Sequence, residues 1–341
     1  MKKPRSPYLT KPVKPFLVEP GLSTEETLAR MEHISFQGRN LARAHQLWRT
    51  MLQDDTFIFF GLAGALSAAG LRLIIAYLIE HRYIDCVVST GANLYHDLHE
   101  TRGGHHFIGS PDADDSLLGK DKIDRVYDTF IDEQEFVRND EWIATFSASL
   151  PAHQHTSREY LYRLGERLWT EYGTPGILTA AFRARVPIYC PAIADSSLGM
   201  GLSQARTLNS DSGLIDTIGD VQESADLVLS AKKTASIVIG GGTPKNFINQ
   251  ASVQAEYLDP KVQGHHYALQ IITDVPHYGG ASGSSLSEAK SWGKITADAT
   301  HITVNADATI ALPIIVTALV SSTPDLLSLR QSKHHTRDVN K

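Results

Sequence analysis

The chain has 341 residues, 42% of them hydrophobic and 21% charged, with a formal net charge of −6. That length and apolar content supply one large core or two ordinary ones. The mild acidity excludes the basic surface of a nucleic-acid-binding protein and suits an enzyme whose substrates are cations. Two cysteines, Cys86 and Cys190, each sit in an apolar run; they exclude a disulfide framework and read as buried thiols.

The N-terminal stretch MKKPRSPYLTKPVKPF is basic, and Pro4, Pro7, Pro12 and Pro15 stiffen it. It predicts an extended arm over residues 1–35, with no apolar segment of signal-peptide type. No apolar run approaches the roughly 18 residues of a membrane span, so a cytoplasmic location is expected. Strands are predicted at TFIFFGL (56–62), IDCVVST (84–90), VPIYCPA (186–192), SIVIGGG (236–242), ALQIITD (268–274) and HITVNAD (301–307). Their near-continuous apolar character suits parallel strands covered on both faces.

Helical stretches fall between them. ALSAAGLRLIIAYLIEHR follows the first strand, and TSREYLYRLGERLWTEYG starts at a Thr156–Glu159 capping box and stops at Gly173. GLIDTIGDVQESADLVLSAKK is a third, and ATIALPIIVTALVSS, with Pro313 near its first turns, is the fourth. The segment 101–155, rich in Gly, His and Asp, reads as surface loops near a site. The alternation implies an α/β fold, a doubly wound, mostly parallel sheet with helices on both faces. One domain over 36–325 and a frayed tail over 326–341 complete the expected organisation.

In such sheets ligands bind beyond the carboxyl ends of the strands. Those ends are Ser89-Thr90-Gly91-Ala92-Asn93, then Ala194-Asp195-Ser196-Ser197-Leu198-Gly199, Gly240-Gly241-Gly242-Thr243 and Ala306-Asp307-Ala308-Thr309. Small residues admit a ligand to the backbone, and helix starts favour phosphate. Each piece alone also reads as a tight turn or a helix cap. Farther on, a glycine-serine loop, Gly279 to Ser285, leads to Glu288, Trp292 and Lys294. Trp292 offers a wall for an alkylammonium chain, Glu288 a countercharge, and a desolvated Lys294 a nucleophile. On the residues alone, a surface lysine near a helix end is the plainer reading of Lys294.

SGSSLSEAKSWGKI followed by VNADATIALPIIV resembles the C-terminal block of the deoxyhypusine synthases, and the likeness runs in order over about residues 40–320. The resemblance implies a Rossmann-like fold and NAD as an internal redox cofactor. It places the nucleophile at Lys294 and NAD contacts at Thr90, Gly91, Ala92, Asp195, Gly241, Thr273, Asp307 and Ala308. Hydride leaves a polyamine such as spermidine, Lys294 attacks the imine, an acceptor amine displaces the lysine, and the hydride returns. Water must be excluded, since it hydrolyses the imine. The resemblance also implies a homotetramer with sites across a dimer interface and the N-terminal arm as a cover.

The departures from the family pattern bear on substrate. Two acids after the T-x-G segment are Tyr95 and His96 here, in GANLYHDLHE, with Asp97 nearby. Met200 and Ala281 replace two further acids, and Asn246, in GGGTPKNF, replaces a histidine. Losing several countercharges at a buried cation site costs several kcal/mol, at about 3–5 kcal/mol per broken pair. Tyr95, His96, Asn246, Glu288 and Trp292 are therefore the expected substrate contacts. NLYHDLH resembles a bacterial deoxyhypusine synthase-like branch associated with homospermidine synthesis, which implies putrescine as acceptor and putrescine or spermidine as donor.

A true deoxyhypusine synthase acting on a translation-factor lysine is the alternative, and a non-catalytic NAD-binding regulatory paralogue is a third reading. No metal is expected, because the histidines at 96, 99, 105 and 106 lack a carboxylate or cysteine at ligand spacing. His334 and His335 read as part of a disordered end. His265 and His266 are expected on the surface, and His277 near the site.

Overall fold

The computed structural model describes residues 6–54, 56–324 and 330; the tail histidines His334 and His335 lie outside them. The arm has no regular structure through Leu22, and then forms helix α1 (Thr24–Met31). Ser23 and Glu26 cap α1 reciprocally, and Leu28 is buried. The long α2 (Phe36–Gln53) follows, and its Trp48 donates Nε1–H to the Tyr83 carbonyl at 3.3 Å.

Six parallel strands form the main sheet: β1 (Phe57–Leu62), β2 (Cys86–Ser89), β6 (Ile188–Tyr189), β7 (Thr234–Ile239), β8 (His265–Ile272) and β9 (Ile295–Asn305). Their spatial order is β6-β2-β1-β7-β8-β9. Numbered by order of entry into this sheet, that is 3-2-1-4-5-6, the order of dinucleotide-binding sheets, with its reversal between β1 and β7. Strand β1 explains why both faces are covered. Ile58, Phe60 and Leu62 join one core with Trp48 and Met51, and Phe59 joins the other with Val88, Tyr189, Phe247 and Ile248. The buried thiols Cys86 and Cys190 are both free.

The connecting helices are α3 (Arg72–Glu80), α4 (Gly91–Thr101), α7 (Ser157–Tyr172), α8 (Ile177–Ala184), α9 (Ser197–Leu208), α10 (Thr217–Ser230), α11 (Gly242–Leu258), α12 (Leu286–Ser291) and α13 (Ala308–Ser322). Thr156 Oγ1 accepts from the Glu159 amide and Gly173 ends α7 at φ 61°, as predicted. The reciprocal half of that capping box is absent, because the Glu159 carboxylate turns to Arg163 and two histidines.

The segment 101–155 departs from expectation. Instead of loops it holds a second, antiparallel sheet of order β3-β5-β4, from β3 (Phe107–Ile108), β4 (Ile123–Val126) and β5 (Thr129–Asp132). It also holds α5 (Asp115–Lys120) and α6 (Glu133–Ala148). Its strands are short and β3 is exposed, so they lack the apolar run that marks the main sheet. Among so many aspartates, the helix caps Asp114 and Asp132 do not stand out. His265 also differs: it is fully buried, with Nδ1 2.8 Å from Thr234 Oγ1 and Nε2 3.2 Å from the Ile248 carbonyl. Strand β8 begins at His265, earlier than its apolar run, and carries that imidazole inward.

Candidate active site

Every expected cofactor residue lies at the carboxyl edge of the main sheet. Thr90, Gly91 and Ala92 follow β2, Asp195 follows β6, Gly241 follows β7, Thr273 follows β8, and Asp307 and Ala308 follow β9. Asp195 and Asp307 stand beyond opposite edge strands. At about 4.8 Å per strand the two edges are about 24 Å apart. The residues therefore fall into two groups flanking the reversal. In the first, a Cβ on Gly91 would lie 2.2 Å from Ser196 Oγ, so only glycine lets the two turns meet. Asn93 fixes this turn, donating to Thr90 Oγ1 at 3.0 Å and to the Gly64 carbonyl at 2.7 Å.

In the second group, Gly240 adopts φ 78° beside Ala63, and a Cβ on Gly241 would lie 2.5 Å from Ser282 Cα. The Gly242 amide, at the start of α11, donates to Ser282 Oγ at 2.8 Å. Gln270 ties the Gly240 and Ser282 carbonyls together. Asp307 caps α13 through the Thr309 amide at 2.7 Å, and hydrogen bonds from Thr309 lower its carboxyl pKa. This donor set fits a dinucleotide: glycine turns and a helix start at the reversal suit the pyrophosphate, and exposed carboxylates suit ribose hydroxyls. Asp195, Gly241, Thr273 and Asp307 would face it from the strand ends.

Lys294 lies between α12 and β9, half-buried, alongside α11. Its Nζ donates to Asn246 Oδ1 at 3.2 Å and sits 5.5 Å from the centre of the Trp292 ring. Trp292 itself is 70% exposed. Glu288 does not pair with Lys294. Its Oε2 accepts the Ser285 amide at 2.6 Å and closes a capping box on α12.

Lys245, one residue before Asn246, is a functional candidate that the sequence reading passed over. It is 3% exposed, and its Nζ donates to the Ser282 carbonyl at 3.0 Å and to the Ser284 carbonyl and hydroxyl at 2.5 and 3.0 Å. Burial, then repulsion from Lys294, push it down to about 8, against attraction from Glu288 and Asp274. Three acceptors use all three ammonium protons, so near neutral pH Lys245 is a cation that anchors the glycine-serine loop. The signal available in the sequence was its place in the first turn of the helix after the glycine turn.

Tyr95 and His96 lie in a different cluster, and among the described residues no hydrogen bond or ring contact joins them to Lys294. The Tyr95 hydroxyl donates to Asp140 Oδ1, 2.6 Å away, and lies 3.0 Å from the Phe136 carbonyl; burial, then Asp140, raise its pKa. His96 Nδ1 is 2.8 Å from His106 Nε2, and His106 Nδ1 is 2.6 Å from Glu100 Oε1. Hydrogen bonding by His106 and attraction from Arg72 hold Glu100 low against burial. With His106 donating to the carboxylate, a neutral relay has His96 donating Nδ1–H to His106, which leaves Nε2 of His96 as a lone pair. Burial and the neighbouring imidazoles push His96 down to about 4, so it is neutral at pH 7.

Asp97 serves the fold rather than an amine. It is fully buried, accepts from Arg72 Nε at 2.9 Å, and accepts the Leu178 amide at 3.0 Å. Burial raises its pKa against the pull of Arg72. His277 is exposed, its ring centre 4.5 Å from that of Tyr278 and tilted 59° to it; His266 is partly exposed.

Comparison with known proteins agrees with this geometry. The family model described as deoxyhypusine synthase matches residues 26–319. "Probable deoxyhypusine synthase 2" of Methanosarcina acetivorans is 45% identical over 309 residues, 89% of this chain and 88% of that one. The "Deoxyhypusine synthase-like protein" of Coxiella burnetii is 39% identical over 290 residues, 84% of this chain and 82% of its own. A crystal structure from Entamoeba histolytica, provisionally assigned as a deoxyhypusine synthase, shares the fold at a TM-score of 0.59 and 19% identity, covering 89% of this chain and 95% of that one.

Proposed function

Because this chain belongs to the deoxyhypusine synthase family, whose members are NAD-dependent aminobutyltransferases, we propose that it moves an aminobutyl group between small polyamines through an imine on Lys294, with homospermidine as product. The observation that carries the reading is the setting of Lys294. Its nitrogen is held by the neutral Asn246 amide beside an aromatic face, and the positions of the family's paired acids, Tyr95 and His96, are committed to Asp140 and His106. A site with so few free carboxylates suits a small diamine acceptor better than the charged surface around a protein lysine.

NAD, when bound, supplies the hydride acceptor for amine oxidation and the donor for the final reduction. Asn246 orients the Lys294 nitrogen, and attack requires its lone pair; the rest of the donor leaves as a free amine, 1,3-diaminopropane from spermidine or ammonia from putrescine. Trp292 holds the alkylammonium chain of the bound half-substrate. The bare Nε2 of His96, on a ring that is neutral at pH 7, accepts a hydrogen bond from an amine N–H. Lys245 keeps the glycine-serine loop closed over the Gly241 turn. An exposed Trp292 does not shield an imine from water, so a second copy completes the wall. The expected assembly is a homotetramer that brings the His96 cluster of one subunit to the Lys294 group of another.

The test mixes purified protein with NAD, putrescine and spermidine and separates the products by chromatography. Homospermidine should form, and Lys294→Ala should abolish it. Full activity in that variant would remove the covalent route. The relatives described as probable deoxyhypusine synthases favour a second reading, in which a translation-factor lysine is the acceptor. Labelled spermidine entering that protein, with no homospermidine formed, would establish it.

A further inference from the structure

Away from the sheet edge, the loop between α6 and α7 brings two imidazoles and one carboxylate together. His153, His155 and Glu159 each offer a ligand atom, and all three atoms lie within 4.8 Å of one another. His155 Nδ1 is 3.1 Å from Glu159 Oε2, and His153 Nε2 is 3.4 Å from the same oxygen. Donors at about 2.0–2.1 Å from a tetrahedral zinc ion stand about 3.3 Å apart, so both separations match ligand–ligand edges.

His155 is 3% exposed, and its Nδ1 is buried without a hydrogen-bond partner. The other ring nitrogen, Nε2, donates to the Pro151 carbonyl at 3.2 Å, so Nδ1 is the nitrogen turned toward Glu159. It faces a carboxylate oxygen at 3.1 Å but outside hydrogen-bond geometry. A divalent cation between them would satisfy that buried nitrogen, since ligands of one ion point at a shared centre rather than at each other.

The surroundings orient these donors as outer-shell partners do. Arg163 Nε and Nη2 hold the other oxygen of Glu159, Oε1, at 3.1 and 2.9 Å, leaving Oε2 for the imidazoles. The His155 backbone is pinned on both sides, by its amide to the Leu214 carbonyl at 3.1 Å and by its carbonyl to the Asp216 amide at 2.8 Å. Arg163 and the amino end of α7 oppose a cation. Two imidazole nitrogens and a carboxylate in a partly dry niche outweigh them, because each ligand bond to a divalent ion is far stronger than a screened surface repulsion.

We propose that His153, His155 and Glu159 bind a first-row divalent cation of the zinc class, with water as the fourth ligand on the exposed His153 side. Imidazole with one carboxylate suits zinc and excludes calcium or magnesium, which prefer oxygen. The ion staples the α6–α7 loop to the first turn of α7 and, through His155, to the segment before α10. The signature in the sequence is H-x-H-x-x-x-E, running from a loop into a capped helix.

The test strips the full-length chain with a chelator and titrates it with cobalt(II), then zinc(II). One equivalent of cobalt should bind with the visible absorption of a four-coordinate ion, and zinc should bleach it. His153→Ala and Glu159→Gln change partly exposed side chains, 48% and 32%, and should raise the cobalt dissociation constant at least about tenfold without altering the circular dichroism. No saturable binding in the parent chain, or the same titration in both variants, overturns the site; binding that persists in His153→Ala would place the ion elsewhere, for example at the tail pair His334 and His335.

Discussion

The Lys294 group and the His96 cluster treat their charges in opposite ways. Around Lys294 the structure gathers two lysines, exposes Trp292 and spends Glu288 on a helix cap. Around His96 almost every polar atom has an internal partner: Tyr95 with Asp140, His96 with His106, His106 with Glu100, Asp97 with Arg72. Lys294, held by one neutral amide and by no ion pair among the described residues, awaits a ligand or partner surface, whereas paired groups already have their balance. The contrast teaches that Tyr95 and His96, where the family resemblance implies two acids, leave no hole: their hydrogen bonds tie them into the fold, and only Nε2 of His96 stays bare.

The comparison breaks if the paired cluster is not stabilising. Its largest effect should come from Arg72→Met, which strands the fully buried Asp97; equilibrium denaturation should show a loss of about 3–5 kcal/mol. A loss below 1 kcal/mol would mean that Asp97 is not held by this pair. Next in size is a pH effect. His96 and His265 are both lowered to about 4 from 6.5. Between those values the unfolded chain binds more protons than the folded one, so stability is full above pH 6.5 and falls as pH drops toward 4. The loss approaches about 3 kcal/mol for each buried imidazole. Denaturant midpoints flat from pH 7 to 4 would contradict this.

The smallest effect sharpens the contrast. Tyr95→Phe removes the donor to Asp140 and should cost about 1–2 kcal/mol in stability, with catalytic rate little changed. A rate loss larger than the stability loss would return Tyr95 to substrate binding.

Much of the main sheet was legible because its strands are long apolar runs, and TFIFFGL buries residues on both faces as such runs should. Strand β9 starts at Ile295, six residues before the predicted stretch, because ITADAT is too polar to announce a strand; pairing with β8 extends it. The small sheet of 107–132 stayed hidden because its strands are too short for a pattern to repeat. At the candidate site, the residues at strand ends and Lys294 were singled out by motif and order. Lys245 was missed, since nothing in GGGTPKNF says that its side chain is buried under the Ser282–Ser284 carbonyls. The inward turn of Tyr95 depended on Asp140, 45 residues away, in a helix the reading took for loop.

Lysine trapping tests the central claim most directly, because Lys245 and Lys294 sit side by side and only one should carry the substrate. The protein is incubated with NAD and spermidine, reduced with borohydride, digested and weighed by mass spectrometry. The account predicts an aminobutyl adduct on Lys294 and none on Lys245. An adduct on Lys245, or no NAD-dependent adduct at all, would contradict it.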